Sequence, residues 1–391
     1  VILTSVLLIG PFLMGMAINS LGNDEKIKIH FAYINNLTDK LQEDIVPDDF
    51  PPKLWSLGFL YPFGGWFGSL IGAASVDKFG RKPPSIFFSI LAILGAAMKV
   101  FSKGWHFGIL FGSRFLDGVA TSGMMVSVIL LLFEVTPKKI ENVYKPMIQI
   151  SVNAGILFIG IISLPDFVKE RWNYVHIATG IFALILLITT LILPESPKYL
   201  YMKGRLNDSE EALKSLRGQH YSQDEFEALK TFDREARTDS RMSVMSFLKT
   251  SRFRLPIISL IMLHVGQQLC GINAIMAFAP TLLRSLNYGR PDIGGLVITS
   301  IGLLGSLLFA PFVGNQRRKV LWLTGFIFMF ISFSAYLASD YLNAPEQLKL
   351  FWLCLFVFMF QIGPGPVAWF ISVEMFPTEA SGAAQGVASF F

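Results

Sequence analysis

The stretch Asp77-Lys78-Phe79-Gly80-Arg81-Lys82 lies between two apolar segments, 54–76 and 83–101, and a counterpart, Gly314-Asn315-Gln316-Arg317-Arg318-Lys319, lies between 293–313 and 320–338. Each basic turn is followed by Glu-x-x-Pro at the end of a later apolar segment, as Glu134-Val135-Thr136-Pro137 and Glu374-Met375-Phe376-Pro377. From Arg81 to Glu134 is 53 positions and from Arg318 to Glu374 is 56. The pattern therefore recurs at an offset of roughly 240 residues, a parallel repeat of the kind expected of two helix bundles related by an axis along a membrane normal.

Outward from these turns, ten segments carry about 20 apolar residues each, the length that crosses a bilayer with every backbone group satisfied inside the helix. They run roughly 1–22, 54–76, 83–101, 107–133, 146–164, 172–193, 255–279, 293–313, 320–338 and 350–376. Composition agrees: of 391 residues 52% are hydrophobic, 16% are charged and 36 are Phe, a balance that excludes an ordinary soluble domain. The first segment has no basic region ahead of it and starts at Val1 without Met, so it reads as a true span and not a signal peptide. The repeat divides the chain into a six-helix bundle at 1–193, a cytosolic linker at 194–254 and a second bundle at 255–391. Measured against the first half, the second is incomplete, with helices seven to ten and the start of an eleventh at 385–391. About ten helices of an expected twelve are thus present.

If residue 1 starts on the cytosolic side, the short inner loops hold nine Lys and Arg in 24 positions and the short outer loops six in 36, which orients the chain by the positive-inside rule. The outer loop 23–53 carries seven Asp and Glu and the sequon Asn36-Leu37-Thr38, so Asn36 is a candidate glycosylation site. In the linker, Asp208-x-x-Glu211 before Ala212, Leu213 and Leu216, and Ser222-x-x-Glu225 before Phe226 and Leu229, predict short helices, the first ending at Gly218. A net charge of +5, spread in short clusters between apolar stretches, points away from nucleic acid. Cys270 and Cys354 both fall in apolar stretches, and His30, His106, His176, His220 and His264 show no metal-ligand spacing. Neither a metal, nor a cofactor, nor an enzymatic centre is suggested, and the oligomeric state is not encoded.

The same residues resemble those of the sugar-porter family of the major facilitator superfamily, and within it the facilitative hexose transporters. The matching strings, in order, are Asp77-Lys-Phe-Gly-Arg81-Lys82, Ser113-Arg114-Phe115, Glu134-Val-Thr-Pro137, Pro194-Glu-Ser-Pro-Lys-Tyr-Leu200, Gln267-Gln-Leu-Cys-Gly-Ile-Asn273, and Gly363-Pro-Gly-Pro-Val-Ala-Trp369 with Glu374. The resemblance implies an all-α membrane protein with the major facilitator fold, two pseudo-symmetric bundles, and a plasma-membrane carrier. Its partners would be the lipid bilayer and a small sugar-like solute, moved by alternating access through facilitated diffusion.

Uncharged hydrogen-bonding side chains inside a bundle fit that reading, because burial is costly unless they pair or face a wet cavity. On a continuous helix Gln267, Gln268 and position 271 share a face, with Asn273 within about 120°. Carboxamides offer donors and an acceptor, which suits the hydroxyls of a neutral polyol; they also glue membrane helices together, so both roles stay open. The resemblance adds Gln149 on the fifth span, Thr299 on the eighth and Trp369 as an aromatic platform for the sugar. Gly363-Pro-Gly-Pro366 is expected to break helical hydrogen bonding and supply a hinge. It also implies an inner-face gate of Arg81, Lys82, Arg114, Glu134 and Glu195 in one half and Arg317, Arg318 and Glu374 in the other, although positive-inside anchoring accounts for part of that charge.

The chain departs from the family at several places. Glu141 and Ser381 stand where an Arg is usual in each half, which would weaken the closed inner gate; Ala277 replaces an outer-lid Tyr, and Thr299 an Asn. Ala17 stands where proton-driven relatives carry an Asp, and Asp117, the intramembrane acid, lies three residues after Arg114, in position for a neutralising pair. Two alternatives therefore accompany passive carriage: a transport-deficient, sensor-like sugar binder, and a proton-coupled symporter using Asp117. His264 is placed either facing the cavity or packed.

Overall fold

The computed structural model describes residues 2–20, 57–102, 108–164, 167, 172–227, 229, 244–285, 289–313, 316–368, 371–376, 380, 384, 387 and 388. Among them all regular structure is helical. In chain order the helices are α1 (Ile2–Val6), α2 (Ile9–Ile18), α3 (Leu57–Phe79), α4 (Lys82–Phe101), α5 (Gly108–Val135), α6 (Lys138–Ile162), α7 (Val175–Ile192), α8 (Pro197–Met202), α9 (Leu206–Arg217), α10 (Val244–Lys249), α11 (Arg254–Leu269), α12 (Ile272–Ser285), α13 (Pro291–Val313), α14 (Arg318–Tyr341), α15 (Glu346–Ile362), α16 (Pro364–Ala368) and α17 (Ile371–Met375). Eight stretches among the described residues are long and apolar enough to span a bilayer. Leu3–Ile18 is a shorter apolar stretch, and α3 is 23 residues long but diluted by glycine. On α7 the large residues Ile181, Leu184, Ile188, Leu191 and Ile192 are exposed, an apolar face that only hydrocarbon would cover. The protein is a multi-pass integral membrane protein.

The chain forms two compact units, Val1–Thr136 with Ala154–Tyr199, and Pro137–Asn153 with Leu200–Phe391. In the first, α3 and α5 meet along a seam of small residues. A Cβ built at Gly64, Gly68 or Gly118 would collide with the backbone of Phe115, Val119 or Tyr61 on the facing helix. Glycine there lets two backbones approach to a distance no side chain permits, the usual way helices associate in lipid. Beside this seam α5 carries Arg114, Asp117 and Thr121, all buried, with Tyr61 of α3 5.0 Å from the Arg114 guanidinium and 3.2 Å from Thr121 Oγ1.

In the second unit a core of Ile272, Ile275, Leu283, Ile298, Met329, Leu353 and Phe356 joins α12 to α15. In a separate cluster Phe247 of the short α10 packs with Phe253 and Phe376, ring centroids 5.6 and 5.0 Å away. In the linker at 194–254 α9 begins at Leu206, earlier than the Asp208 capping signal, and Arg205 is its N-cap without a side-chain cap bond. Asp208 instead accepts from Arg205 Nε at 2.6 Å, so the capping box is replaced by an ion pair. The helix does end at Gly218, at φ +53°. Glu210, bonded to Lys214 at 2.7 Å, holds that ammonium above the usual lysine range.

Two spans read as continuous are broken. Between α1 and α2 the chain turns at Leu7 and Leu8, because Pro11 offers no N–H to Leu7 O and its ring crowds that carbonyl. Between α11 and α12 it turns at Cys270 and Gly271, the latter at φ +88°, a conformation that favours glycine. The face shared by Gln267, Gln268 and Asn273 on an unbroken helix is therefore corrected: Asn273 sits on the far side of a kink. The break between α15 and α16 falls at Gly363, where Pro364 and Pro366 lack the donors that Phe360 O and Ile362 O would need. A Cβ at Gly363 would strike Leu321 O, so the kink also admits the backbone of α14.

Candidate functional site

One end of the first unit is a charge network tied to helix ends. Arg81 Nε donates to Glu134 Oε2 at 2.7 Å and Nη2 to Oε1 at 2.9 Å, a bidentate clamp from the turn before α4 to the last turn of α5. Arg81 Nη1 donates to Val76 O, and its guanidinium lies 4.8 Å from the Tyr199 ring. Glu195, just before α8, accepts from the backbone N–H groups of Arg81, Lys82 and Ser196 at 3.0, 3.2 and 2.8 Å. A carboxylate is thereby set on the N-terminus of α4, where unpaired N–H groups and the helix dipole favour negative charge. Ser196 Oγ donates to Glu134, Tyr199 OH to Lys78 O, and Lys82 Nζ to Leu191 O.

In the second unit the matching turn makes a looser version. Arg318 holds Glu374 with two bonds of 2.9 Å, but their side chains are 25% and 39% exposed, against 5% and 6% for Arg81 and Glu134. Arg317 stands exposed at the N-cap of α14. Glu141 pairs on its own helix with Lys145 at 3.6 Å.

Arg114 does not belong to this network. It lies near the start of α5, twenty residues from Glu134 and thus about 30 Å along the helix. Its Nη1 donates to Ala17 O and Ser20 Oγ at the end of α2, at 2.8 and 2.6 Å. The expected pair with Asp117 is also revised: Arg114 is 3.8 Å away, whereas Lys99 Nζ donates to Asp117 Oδ2 at 2.5 Å. Lys99 lies inside the third apolar segment, and one cation amid nineteen residues of apolar run gave little reason to seek its partner.

Gln149, Gln267, Gln268, Asn273 and Thr299 all belong to the second unit. Gln149 on α6, Ser306 and Ala310 on α13, Gln361 at the end of α15, Pro146 and Pro366 line an internal space about the size of one water molecule. Asn153, one turn after Gln149, donates from Nδ2 to Gly302 O and accepts from Gln361 Nε2, both at 3.4 Å. Gln361 is 2% exposed, and its Oε1 is buried with no hydrogen-bond partner. An acceptor held dry and unpaired is costly unless something arrives to donate to it.

Other expected contacts are placed differently. Asn273 Nδ2 donates to Gln268 Oε1 at 2.7 Å, so these exposed amides satisfy each other across the kink, and Gln267 is half-buried beside them. Thr299 is buried but gives its hydroxyl to Leu296 O within its own helix. His264 is packed, with Nδ1 3.0 Å from Leu260 O. Trp369, Ser381 and Asn36 lie outside the described residues, as does the side chain of Ala277. Asn153, Ser306 and Gln361 were not picked out from the sequence. The available signals were the four-residue step from Gln149 to Asn153 and the lone Gln just before a Gly-Pro break.

Comparison with known proteins gives the family and the fold. A family model described as "Sugar (and other) transporter" matches residues 7–391. Facilitated glucose transporter member 2 of Sus scrofa is 29% identical over 385 residues, covering 92% of this chain and 73% of that protein. Member 4 of Mus musculus is 29% identical over 357 residues, covering 89% and 70%, and member 2 of Gallus gallus is 27% identical over 346, covering 86% and 65%. The chain thus spans about two thirds of the length of such relatives, from 65% to 73%. The solved structure of the proton:xylose symporter XylE bound to 6-bromo-6-deoxy-D-glucose superposes with a TM-score of 0.79 at 20% identity, covering 99% of this chain and 85% of that one. A partially occluded inward-open XylE from E. coli gives 0.77 at 19%, covering 100% and 90%. At those identities the likeness shows the major facilitator fold.

Proposed function

The chain belongs to the sugar transporter family, and from that premise we propose that it carries a hexose or similar small polyol across the plasma membrane by alternating access, down the solute's own gradient. The observation that carries this reading is the unpaired Oε1 of Gln361 beside Gln149, Asn153 and Ser306. Every polar group there is neutral, with amides and a hydroxyl that can trade hydrogen bonds with a polyol as it sheds water. A charged solute would find no counter-ion among them. The two sequence halves, with 194–254 between them, are taken as the moving bodies. The clamps Arg81–Glu134–Glu195 and Arg318–Glu374 are taken as the inner gate, with Lys82 and Arg317 flanking it.

Gln267, Gln268 and Asn273 would join the site on its exposed side, where breaking their mutual bond frees both amides for the solute; Thr299 and Trp369 complete the set. The test is counterflow: liposomes that hold the protein and are preloaded with unlabelled sugar should accumulate tracer transiently for one or more of a panel of hexoses, pentoses and polyols. No counterflow for any member, with the protein still binding sugar, would favour the sensor-like alternative.

A further inference from the structure

A carboxamide presents a donor or an acceptor according to which way it turns. At Gln361 the choice is made by a backbone group two contacts away. Gly302 O of α13 can only accept, so Asn153 of α6 turns its Nδ2 toward that carbonyl and its Oδ1 toward Gln361 Nε2, both at 3.4 Å. The amide of Gln361 is thereby oriented, and its Oε1 is the atom left buried and open. Turning either amide over would set two oxygens against each other and lose a hydrogen bond.

The side chain of Gln361 is also held as a body. A Cβ at Gly305 would stand 3.1 Å from Gln361 Cβ and 3.3 Å from its Cγ, and one at Gly302 would stand 3.7 Å from Nε2. Glycine at both positions lets the amide lie against α13, within reach of Asn153. A second group lining the same small space has the same polarity. Ser306 Oγ gives its hydrogen to Leu303 O at 2.8 Å, which leaves that hydroxyl only lone pairs to offer. Pro146, Ala310 and Pro366, which also line the space, bring no side-chain donor.

We propose that Asn153 is a positioning residue for solute selection: by locking the Gln361 amide it makes the wall of Gln361 and Ser306 acceptor-only, so that the solute is chosen by a hydroxyl that donates there. The inference rests on the carrier reading for the class of solute, and adds to it the direction of one hydrogen bond. Replacing that hydroxyl by hydrogen removes the donor and leaves Oε1 buried and unpaired. Fluorine has no hydrogen to give either, and it sets the negative end of its bond against the oxygen. A wall that offered N–H would instead prefer fluorine to hydrogen.

The test is equilibrium displacement of labelled parent sugar from the reconstituted whole chain, which needs binding and no flux. Its probes are the deoxy and deoxyfluoro analogues of D-glucose and D-xylose at each ring hydroxyl. At one position both analogues should bind more weakly than the parent by roughly 5- to 150-fold, the fluoro analogue no better than the deoxy one. In Asn153→Val the freed Gln361 can turn its amide, so the parent should weaken while the fluoro analogue does not. The preference for parent over fluoro at that position should then fall by roughly 2- to 12-fold. A merely structural role for Asn153 would weaken both sugars alike and leave the preference unmoved, which would overturn the proposal. Fluoro analogues that bind better than deoxy analogues at every position, or no binding of either parent, would overturn it too. The expected pattern in a protein without counterflow would overturn carriage and keep the inference; counterflow without the pattern would do the reverse.

Discussion

Arg81 grips Glu134 through two parallel hydrogen bonds of 2.7 and 2.9 Å, and Arg318 grips Glu374 through two of 2.9 Å, the same contact made twice at equivalent points of a repeat. The copies differ in burial. In the first, nearly every lone pair and donor is met inside the protein; in the second, solvent competes.

That difference fixes their contributions to stability. Truncating one partner of a buried pair strands the other charge and costs about 3–5 kcal/mol, whereas an exposed pair contributes about 0.2–1 kcal/mol. Arg81→Ala should therefore lower the unfolding temperature in detergent far more than Arg318→Ala. Equal shifts would mean the first clamp is as wet as the second.

The Lys99–Asp117 pair gives a similar contrast by another route. Asp117→Leu alone leaves Lys99 buried without its carboxylate and should destabilise by about 3–5 kcal/mol, while adding Lys99→Met should recover most of it. The comparison is a double-mutant cycle on thermal unfolding, and a double variant as unstable as the sum of the singles would contradict the pairing.

Packing of α3 on α5 allows no side chain at Gly68, whose Cβ would meet Val119 O. Gly68→Ala should force the helices apart, an overpacking cost of at least about 1–3 kcal/mol. Gly58, with open space around it, should accept Ala without loss. Expression and thermal stability of the two variants check this, and matched behaviour would refute the close approach.

How much of this was legible beforehand depended on what each feature requires. Apolar length and the twice-written basic turn are properties of sequence, so the spans and the Arg81–Glu134 correspondence could be read directly. Breaks in a helix were legible where proline forces them, as at Gly363-Pro364, but Pro11 was passed over inside an apolar run. The kink at Gly271 depends on a backbone angle that glycine merely permits. Depth along a helix was the other failure. Arg114 and Glu134 looked alike as charges at span ends, yet they mark opposite ends of α5. Lys99 and Gln361 were hidden because a lone polar residue in an apolar stretch acquires meaning only from what packs against it.

Gln361 shows this most clearly, since Asn153 takes its amide donor and leaves its carbonyl open. Asn153→Val should release the amide and weaken sugar affinity through KM with little change in maximal exchange. Losing one neutral hydrogen bond corresponds to about 0.5–1.5 kcal/mol, or a rise of roughly 2- to 12-fold. An unchanged KM would remove Asn153 from the site.

The most direct measurement is tracer counterflow by the wild-type chain and by Gln361→Leu and Gln149→Leu, reconstituted side by side. Neutral amides that replace a solute's lost water require wild type to show a transient overshoot of labelled hexose, and both variants to need markedly more sugar for half-maximal exchange. An overshoot of equal size and equal concentration dependence in all three would place the solute's path elsewhere and contradict the account.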